Sequence, residues 1–356
     1  MTALAPERLE RRLLGDVCTL QRGFDLPVKE RKPGRFPLVT SSGPTDFHSE
    51  GRVRGPGVVT GRSGSIGNVF YVEDDFWPLN TTLYVKDLHG NDARYIYYLL
   101  KFFDLSRFAS GAGVPTLNRN HVHDEPVWIA PDVDEQKRIV AVLDQAFAAL
   151  DRARALAEAN LTDAEELFER QLAEAFADAG DRVGSVPFAQ LCTALTPKTK
   201  IQRKDYLEAG DFPIVSQEAD LISGYWNDRS ALMGLANPVV VFGDHTRCLK
   251  YIDFDFVVGA DGTKVLLPKP GIDPLYLYYG LRSIPLAEKG YARHFKFLKE
   301  ACLPKLEIAE QERMSFGLRS LEGEVSKLTE AYEDKLRDLS DLRQSLLQKA
   351  FAGELT

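Results

Sequence analysis

A segment of about 43 residues occurs twice in this chain, and each copy has the periodicity of a long helix. EQKR at Glu135 is answered by EQER at Glu310, and the EAF ending at Phe176 by the KAF ending at Phe351. The differences 310 − 135 and 351 − 176 both give 175, so no insertion separates the copies. Between the ends Leu143 answers Leu318, Glu158 answers Glu333 and Leu161 answers Leu336; Asp163, Leu167 and Leu172 answer Asp338, Leu342 and Leu347. The second copy is free of proline beyond Pro304. Its apolar residues Leu318, Leu321, Val325, Leu328, Tyr332, Leu339, Leu342 and Leu346 recur in alternating steps of three and four, a coiled-coil seam. The one gap falls at Lys335, where Leu336 covers it. Gly317 and Gly323 each cost about 1 kcal/mol against Ala, which predicts a helix that starts weakly and firms up beyond Gly323. At 1.5 Å per residue each copy spans about 64 Å. Two helices of matched length read as a ruler.

Two globular segments alternate with these rods. The first, from about residue 14 to 133, predicts strands at FPLV (36–39), GVVTGR (57–62), NVFYV (68–72) and TTLYV (81–85), by their β-branched and aromatic content. SGSIG reads as a glycine-bearing hairpin turn and DARYIYYLLKFF as a helix capped by Asp92. The loop SGAGVPTLNRNHV and the strand VWIA then lead into the first rod. The second segment, about 184 to 308, repeats the plan: FPIV answers FPLV, VVVFGD answers GVVTGR, and YLYYGLRSI answers YIYYLLKFF. Here the spacing drifts, since 212 − 36 is 176 but 276 − 95 is 181. The rods keep their length while loops of the globular halves vary, and variable loops on a fixed scaffold carry recognition. The domain boundaries are therefore 1–133, 134–183, 184–308 and 309–356, globule–rod–globule–rod. The fold class is α+β: two similar globular domains separated by two long helices packed as an antiparallel coiled coil, an internal duplication with pseudo-twofold symmetry. Such packing would put the two heads at opposite ends of the rods.

Charge distribution matters more than its total. The net charge of −8 argues against nucleic acid, yet the rods at 134–182 and 309–356 carry −6 and −3 of it. The segments between come out near zero, about 13 basic residues against 14 acidic in the first and about 15 against 14 in the second. Their loops remain free to present basic patches to a phosphate backbone. No apolar run approaches the roughly 18 to 20 residues of a membrane span, and the start has no signal-peptide core. Cys18, Cys192, Cys248 and Cys302 stand singly, which suits reduced thiols and a cytoplasmic location.

The order of the motifs resembles that of type I restriction–modification specificity subunits over essentially the whole chain. The matching pieces are LGDVCTLQRG, TGRSGSIG, YIYYLLKFF, GVPTLNRNHV and APDVDEQKRIVAVLD, then FGDHTRCLKYIDFDFVVGADGTKVL, YLYYGLRSI, GYARHFKFLKE, AEQERM and the ending LRQSLLQKAFAGEL. The resemblance implies two target-recognition domains, each reading one half of a split, asymmetric site on double-stranded DNA. It implies that the helices set the spacer and dock two modification (methyltransferase) subunits. S-adenosylmethionine is then expected on those subunits, ATP and Mg on restriction (translocase/endonuclease) subunits, and no cofactor or active site on this chain. The junctions depart from the family's usual proline-rich form: IAPDVDEQ at the first rod and KLEIAEQE at the second. That leaves the angle between domain and helix open.

Candidate DNA contacts follow from loop position and chemistry. At the TGRSGSIG tip, Arg62, Ser63 and Ser65 could meet phosphates or a guanine edge; the motif lacks the Lys-Ser/Thr ending of a nucleotide-binding loop, and a structural turn is the plain alternative. The second tip offers His245, Thr246 and Arg247. The densest basic loops hold Lys29, Arg31, Lys32 and Arg35 in the first half and Lys198, Lys200, Arg203 and Lys204 in the second, suited to phosphate contact or to plain solvation. Asn118 and Arg119, and Arg293, His294 and Lys296, precede the rods; Phe295 and Phe297 read as core. His121 and His123 form an HxH without further ligands at metal spacing, so no metal is expected. PDVDEQK has nuclease-like elements, but crowded at a strand–helix junction where its acids suit a helix N-terminus. No Asn/Asp-Pro-Pro-aromatic loop of an adenine methyltransferase occurs. The alternatives are a specificity subunit of a system whose cleavage and methylation share one subunit, and a coiled-coil adaptor that binds no DNA.

Overall fold

The computed structural model describes residues 9–111, 115–286 and 293–355. Two compact units divide the chain: residues 1–157 with 334–356, and residues 158–333. Each unit therefore contains one head and a stretch of both long helices. The helices are numbered here α1 (Ala93–Phe103), α2 (Val133–Val183), α3 (Pro274–Arg282) and α4 (Ile308–Phe351), short helical turns aside.

In the first head a four-stranded antiparallel sheet runs Thr19–Arg22, Thr82–Asp87, Gly57–Gly61, Val69–Val72. Its central strand Gly57–Gly61 is buried on both faces. Because successive side chains alternate, Val58 joins the core shared with α1 while Val59 joins a second cluster with Val39, Phe76 and Tyr84. The second head repeats this strand order with Cys192–Leu195, Thr263–Pro268, Val239–Gly243 and Leu249–Ile252. There Val240 and Phe242 face α3, and Val239 and Val241 face the other way. Each head also closes on itself. Glu10–Leu13 pairs antiparallel with Pro126–Ile129, and Ser185–Pro187 with Cys302–Pro304, so each head's chain ends meet beside the helix that follows.

The joint between head and helix is the same in both units. Gln136 and Gln311, the glutamines of the two EQ motifs, are fully buried. Gln136 Oε1 accepts the backbone N–H of Asp92 at 2.8 Å, and its amide donates to Asn91 Oδ1 at 2.7 Å and Ala130 O at 2.8 Å. Gln311 accepts from Asp273 N at 2.9 Å and donates to Gly271 O at 3.0 Å and Leu306 O at 2.7 Å. Asp92 and Asp273 are themselves the N-caps of α1 and α3, accepting from Tyr95 N and Tyr276 N. One glutamine thus fixes cap, strand end and long helix together.

α2 and α4 pack on each other within each unit. In the second, Arg182 pairs with Glu310 at 2.6 Å and Asn160 Nδ2 donates to Tyr332 Oη at 3.1 Å, so the helices run antiparallel there. Arg282 of α3 sits over the Phe168 ring and bridges Glu169 of α2 to Glu322 of α4. In the first unit Arg343 pairs with Asp151 at 2.5 Å and covers the Phe147 ring.

Two helical expectations change. α4 is continuous through Gly317 and Gly323, both facing open space. Its first turns are fastened by Gln311 and by Ser315, whose hydroxyl donates to Asp273 Oδ1 at 2.9 Å; these ties outweigh the glycine propensity. The seam is also not the full set of eight apolar positions. Leu328 and Leu342 stay 44% and 49% exposed, while Leu347, Ala350 and Phe351 are buried against the first head. A straight helix drifts from a seven-residue repeat, and here the stripe turns from partner helix to head.

Candidate nucleic-acid interface

In the first head the predicted tip and the predicted basic loop come together at one end of the sheet. The tip leaves the strand at Gly61, where a Cβ would collide with Ser65 O, and turns through Gly64 and Gly67 at φ of +87° and +88°. Its backbone is pinned: Arg62 N and Ser63 N donate to Thr81 O at 2.9 and 3.1 Å, and Arg62 Nη1 donates to Asn80 O at 3.3 Å. Leu117 N donates to Arg62 O at 2.8 Å, which draws the 116–119 stretch beside the tip. Ser65 Oγ lies 3.3 Å from Ser42 Oγ. Lys29, Lys32 and Arg35 are exposed, whereas Arg31 is half-buried with Nη1 3.8 Å from Asp46 Oδ2. Asn118 accepts from Asn120 N as a cap, and Arg119 Nη1 donates to Leu20 O at 3.4 Å, so both are partly engaged in holding the fold.

His123 has a structural task. Its Nε2 accepts the Leu20 N–H at 2.9 Å, and burial, with Arg119 beside it, lowers its pKa. His121 is exposed, and no metal-binding cluster exists among the described residues.

The second head clusters its own loops. Thr246 Oγ1 donates to Gln217 O at 2.5 Å, His245 N donates to Gln217 Oε1 at 3.2 Å, and Arg247, at φ +64°, donates through Nη1 to Leu286 O at 3.0 Å. Lys200 is tied inward, Nζ donating to Thr263 O at 2.9 Å; burial lowers its pKa. Lys198 and Lys204 are exposed, and exposed Arg203 pairs with Glu218 at 3.3 Å. Arg293 and Lys296 are exposed. His294 is 1% exposed: its backbone N–H and Nδ1 lie 2.8 and 3.1 Å from Asp244 O, and Phe295 N donates to Asp244 Oδ1. It braces the tip from beneath and does not reach the surface. Gly113 and Val114 of the first pre-rod loop, and Gly290 to Ala292 of the second, lie outside the described residues.

Sequence reading overlooked the residues that gather these loops: Asn80 and Thr81 in the first head, Gln217 and Asp244 in the second. Each is an ordinary residue whose role appears only when the strand register brings it under a tip.

Residues 6–160 match the family model of the type I restriction modification DNA specificity domain. Over that stretch, which lies almost wholly in the first unit, the chain is similar to type I restriction modification DNA specificity domains. Among characterised relatives, the specificity subunit of the type I restriction enzyme EcoR124I/EcoR124II from Escherichia coli is 28% identical over 117 residues, 30% of this chain and 27% of that one. The matched stretch is thus little more than a quarter of that relative's length. Among solved structures, one concerned with complex assembly and conformational transition of the type I R-M system superposes with a TM-score of 0.80 at 18% identity, covering 99% of both chains. The HsdS subunit from Thermoanaerobacter tengcongensis gives 0.58 at 19% identity, again over 99% of each. These two share the fold. Among the described residues no helix is long and apolar enough to cross a membrane.

Proposed function

We propose that this chain is the DNA specificity subunit of a type I restriction–modification enzyme. Each head, residues 1–133 and 184–308, reads one half of a bipartite, asymmetric site. The helices 134–183 and 309–356 form an antiparallel coiled coil with pseudo-twofold symmetry that sets the unread spacer. The observation that carries this reading is the match of residues 6–160 to the specificity domain, together with the same strand order and glutamine joint in the second head. The loops at Arg62 and His245, with the basic loops beside them, are the DNA-facing surfaces.

The chain acts without catalysis of its own. Two modification subunits carrying S-adenosylmethionine dock on the helices, and restriction subunits using ATP and Mg join them, in the cytoplasm. Exposed apolar side chains on the helices support docking: Leu156 in the first unit is 65% exposed and Phe316 in the second 76%. Co-expression with the methyltransferase, followed by mapping of adenine methylation by single-molecule sequencing, tests the reading. A split asymmetric motif is expected. A continuous palindrome, or no methylation, sinks it.

A further inference from the structure

The two heads share a scaffold but differ where the basic loop meets the sheet. In each, a single 3-10 turn, Val28–Glu30 or Arg203–Asp205, is closed by the next residue donating back to its first carbonyl. Those closing residues are Arg31 and Tyr206. The register confirms their equivalence, because Phe24 bridges Leu79 in parallel as Ile201 bridges Gly259, and Leu79 N and Gly259 N donate to Val39 O and Val215 O.

In the second head the Tyr206 ring lies on the floor. A Cβ on Gly259 would collide with its hydroxyl, which lies 3.5 Å from Ala260 O. In the first head the same place is a cavity of about 390 Å³, lined by Asp25, Arg31, Ser42, Leu79, Asn80 and Thr81 among others. Arg31 Nε and Thr81 Oγ1 are buried without a hydrogen-bond partner among the described residues. Unspent buried donors in a cavity wall call for an acceptor. Asp25 does not supply it, because its Oδ1 takes the Asn80 amide and lies 3.7 Å from Arg22, and Asp46 Oδ2, 3.8 Å from Arg31 Nη1, leaves Nε without a partner. Exposed Lys29, Lys32 and Arg35 surround the arginine in the chain and bias the ligand toward an anion.

A recessed arginine meets what protrudes from a double helix, and that is the phosphodiester; base edges lie back in the grooves. We propose that the Arg31 cavity of the first head seats one backbone phosphate of the DNA, a contact that the second head has closed with Tyr206. This rests on the specificity reading above and adds an asymmetry to it: the heads hold their half-sites by different numbers of recessed phosphate contacts.

The test uses the full chain in complex with its methyltransferase subunits, wild type and Arg31→Ala, on duplexes carrying single neutral methylphosphonates along the first head's half-site. One methylphosphonate is expected to weaken wild-type binding about tenfold, as loss of a charged hydrogen bond does, yet cost the Arg31→Ala complex nothing further. The logarithmic salt slope of the variant should fall by about 1, with the methylated motif unchanged and Arg31→Lys intermediate. An unchanged slope with every methylphosphonate costing both complexes alike overturns the proposal. So does relaxation of one base position, which would make Arg31 a base reader. The absence of salt-dependent duplex binding by the wild-type complex would instead condemn the specificity reading itself.

Discussion

Gln311 Oε1 accepts the backbone N–H of Asp273 at 2.9 Å, joining the first turn of a long helix to the cap of the helix in the head. Gln136 and Asp92 repeat the relationship at 2.8 Å. Gln311→Ala would leave the Asp273 N–H and the Gly271 and Leu306 carbonyls without this partner inside the protein. A loss of about 2–4 kcal/mol is expected from the exposed desolvation cost of those groups. Urea unfolding of the variant, followed by circular dichroism, measures it; a loss below half a kcal/mol would show the joint is held by packing alone.

Arg282 is the second fastening of that head. It is half-buried, contacts both Glu169 and Glu322, and covers Phe168. Arg282→Ala strands Glu322 beside the Tyr279 hydroxyl and is expected to cost about 2–3 kcal/mol, discounted for the partial exposure of the carboxylates. The double variant with Glu322→Gln should recover part of that loss, and a thermodynamic cycle reads the coupling.

Acid weakens the first head through His123. Burial holds its folded pKa below the ordinary histidine value, so the unfolded chain takes up a proton first as pH falls. Its contribution is complete above about pH 6.5 and declines as pH drops from there toward the folded pKa. Thermal unfolding between pH 7.5 and 5 should show this decline, and a His123→Gln variant should show less of it.

At the tip, Gly64→Ala forces an L side chain to φ +87° and should cost about 1–2 kcal/mol locally. The expected result in the methylation assay is loss or relaxation of one half-motif, with the other half intact. The mirror experiment is Arg247→Ala, which should disturb the opposite half. Changes in both halves from either variant would contradict separate reading by the two heads.

A seven-residue insertion in α2 alone breaks its register against α4, which pairs Asn160 with Tyr332 and Arg182 with Glu310. Matched insertions in both helices should lengthen the unread spacer and leave each half-motif as it was. Methylome mapping reads both outcomes directly.

Much of the architecture was legible because it was written twice. The equal offset at Glu135 and Phe176 marked the long helices, and Asp92 before an apolar run marked a cap that the structure contains. What the pattern could not supply was tertiary bookkeeping. Leu328 and Leu342 have seam spacing yet stay exposed, since which face of a helix is covered depends on what lies beside it. His294 has the chemistry of a DNA ligand but lies beneath its loop, fixed by Asp244 50 residues away in sequence, a pairing without local signature. Arg31 looked like its basic neighbours, and only the strand register set it against Tyr206.

The strand at Glu10–Leu13 lies beside that at Pro126–Ile129, and Ser185–Pro187 beside Cys302–Pro304. Neighbouring strands are about 4.8 Å apart, so more than a hundred residues leave and rejoin the scaffold through a doorway one strand wide. A globule with adjoining ends adds almost no closure entropy to its host. Exchange of one head for another with the same paired ends would then leave the rods undisturbed, and new recognition could be acquired by replacing a cassette instead of redesigning a molecule.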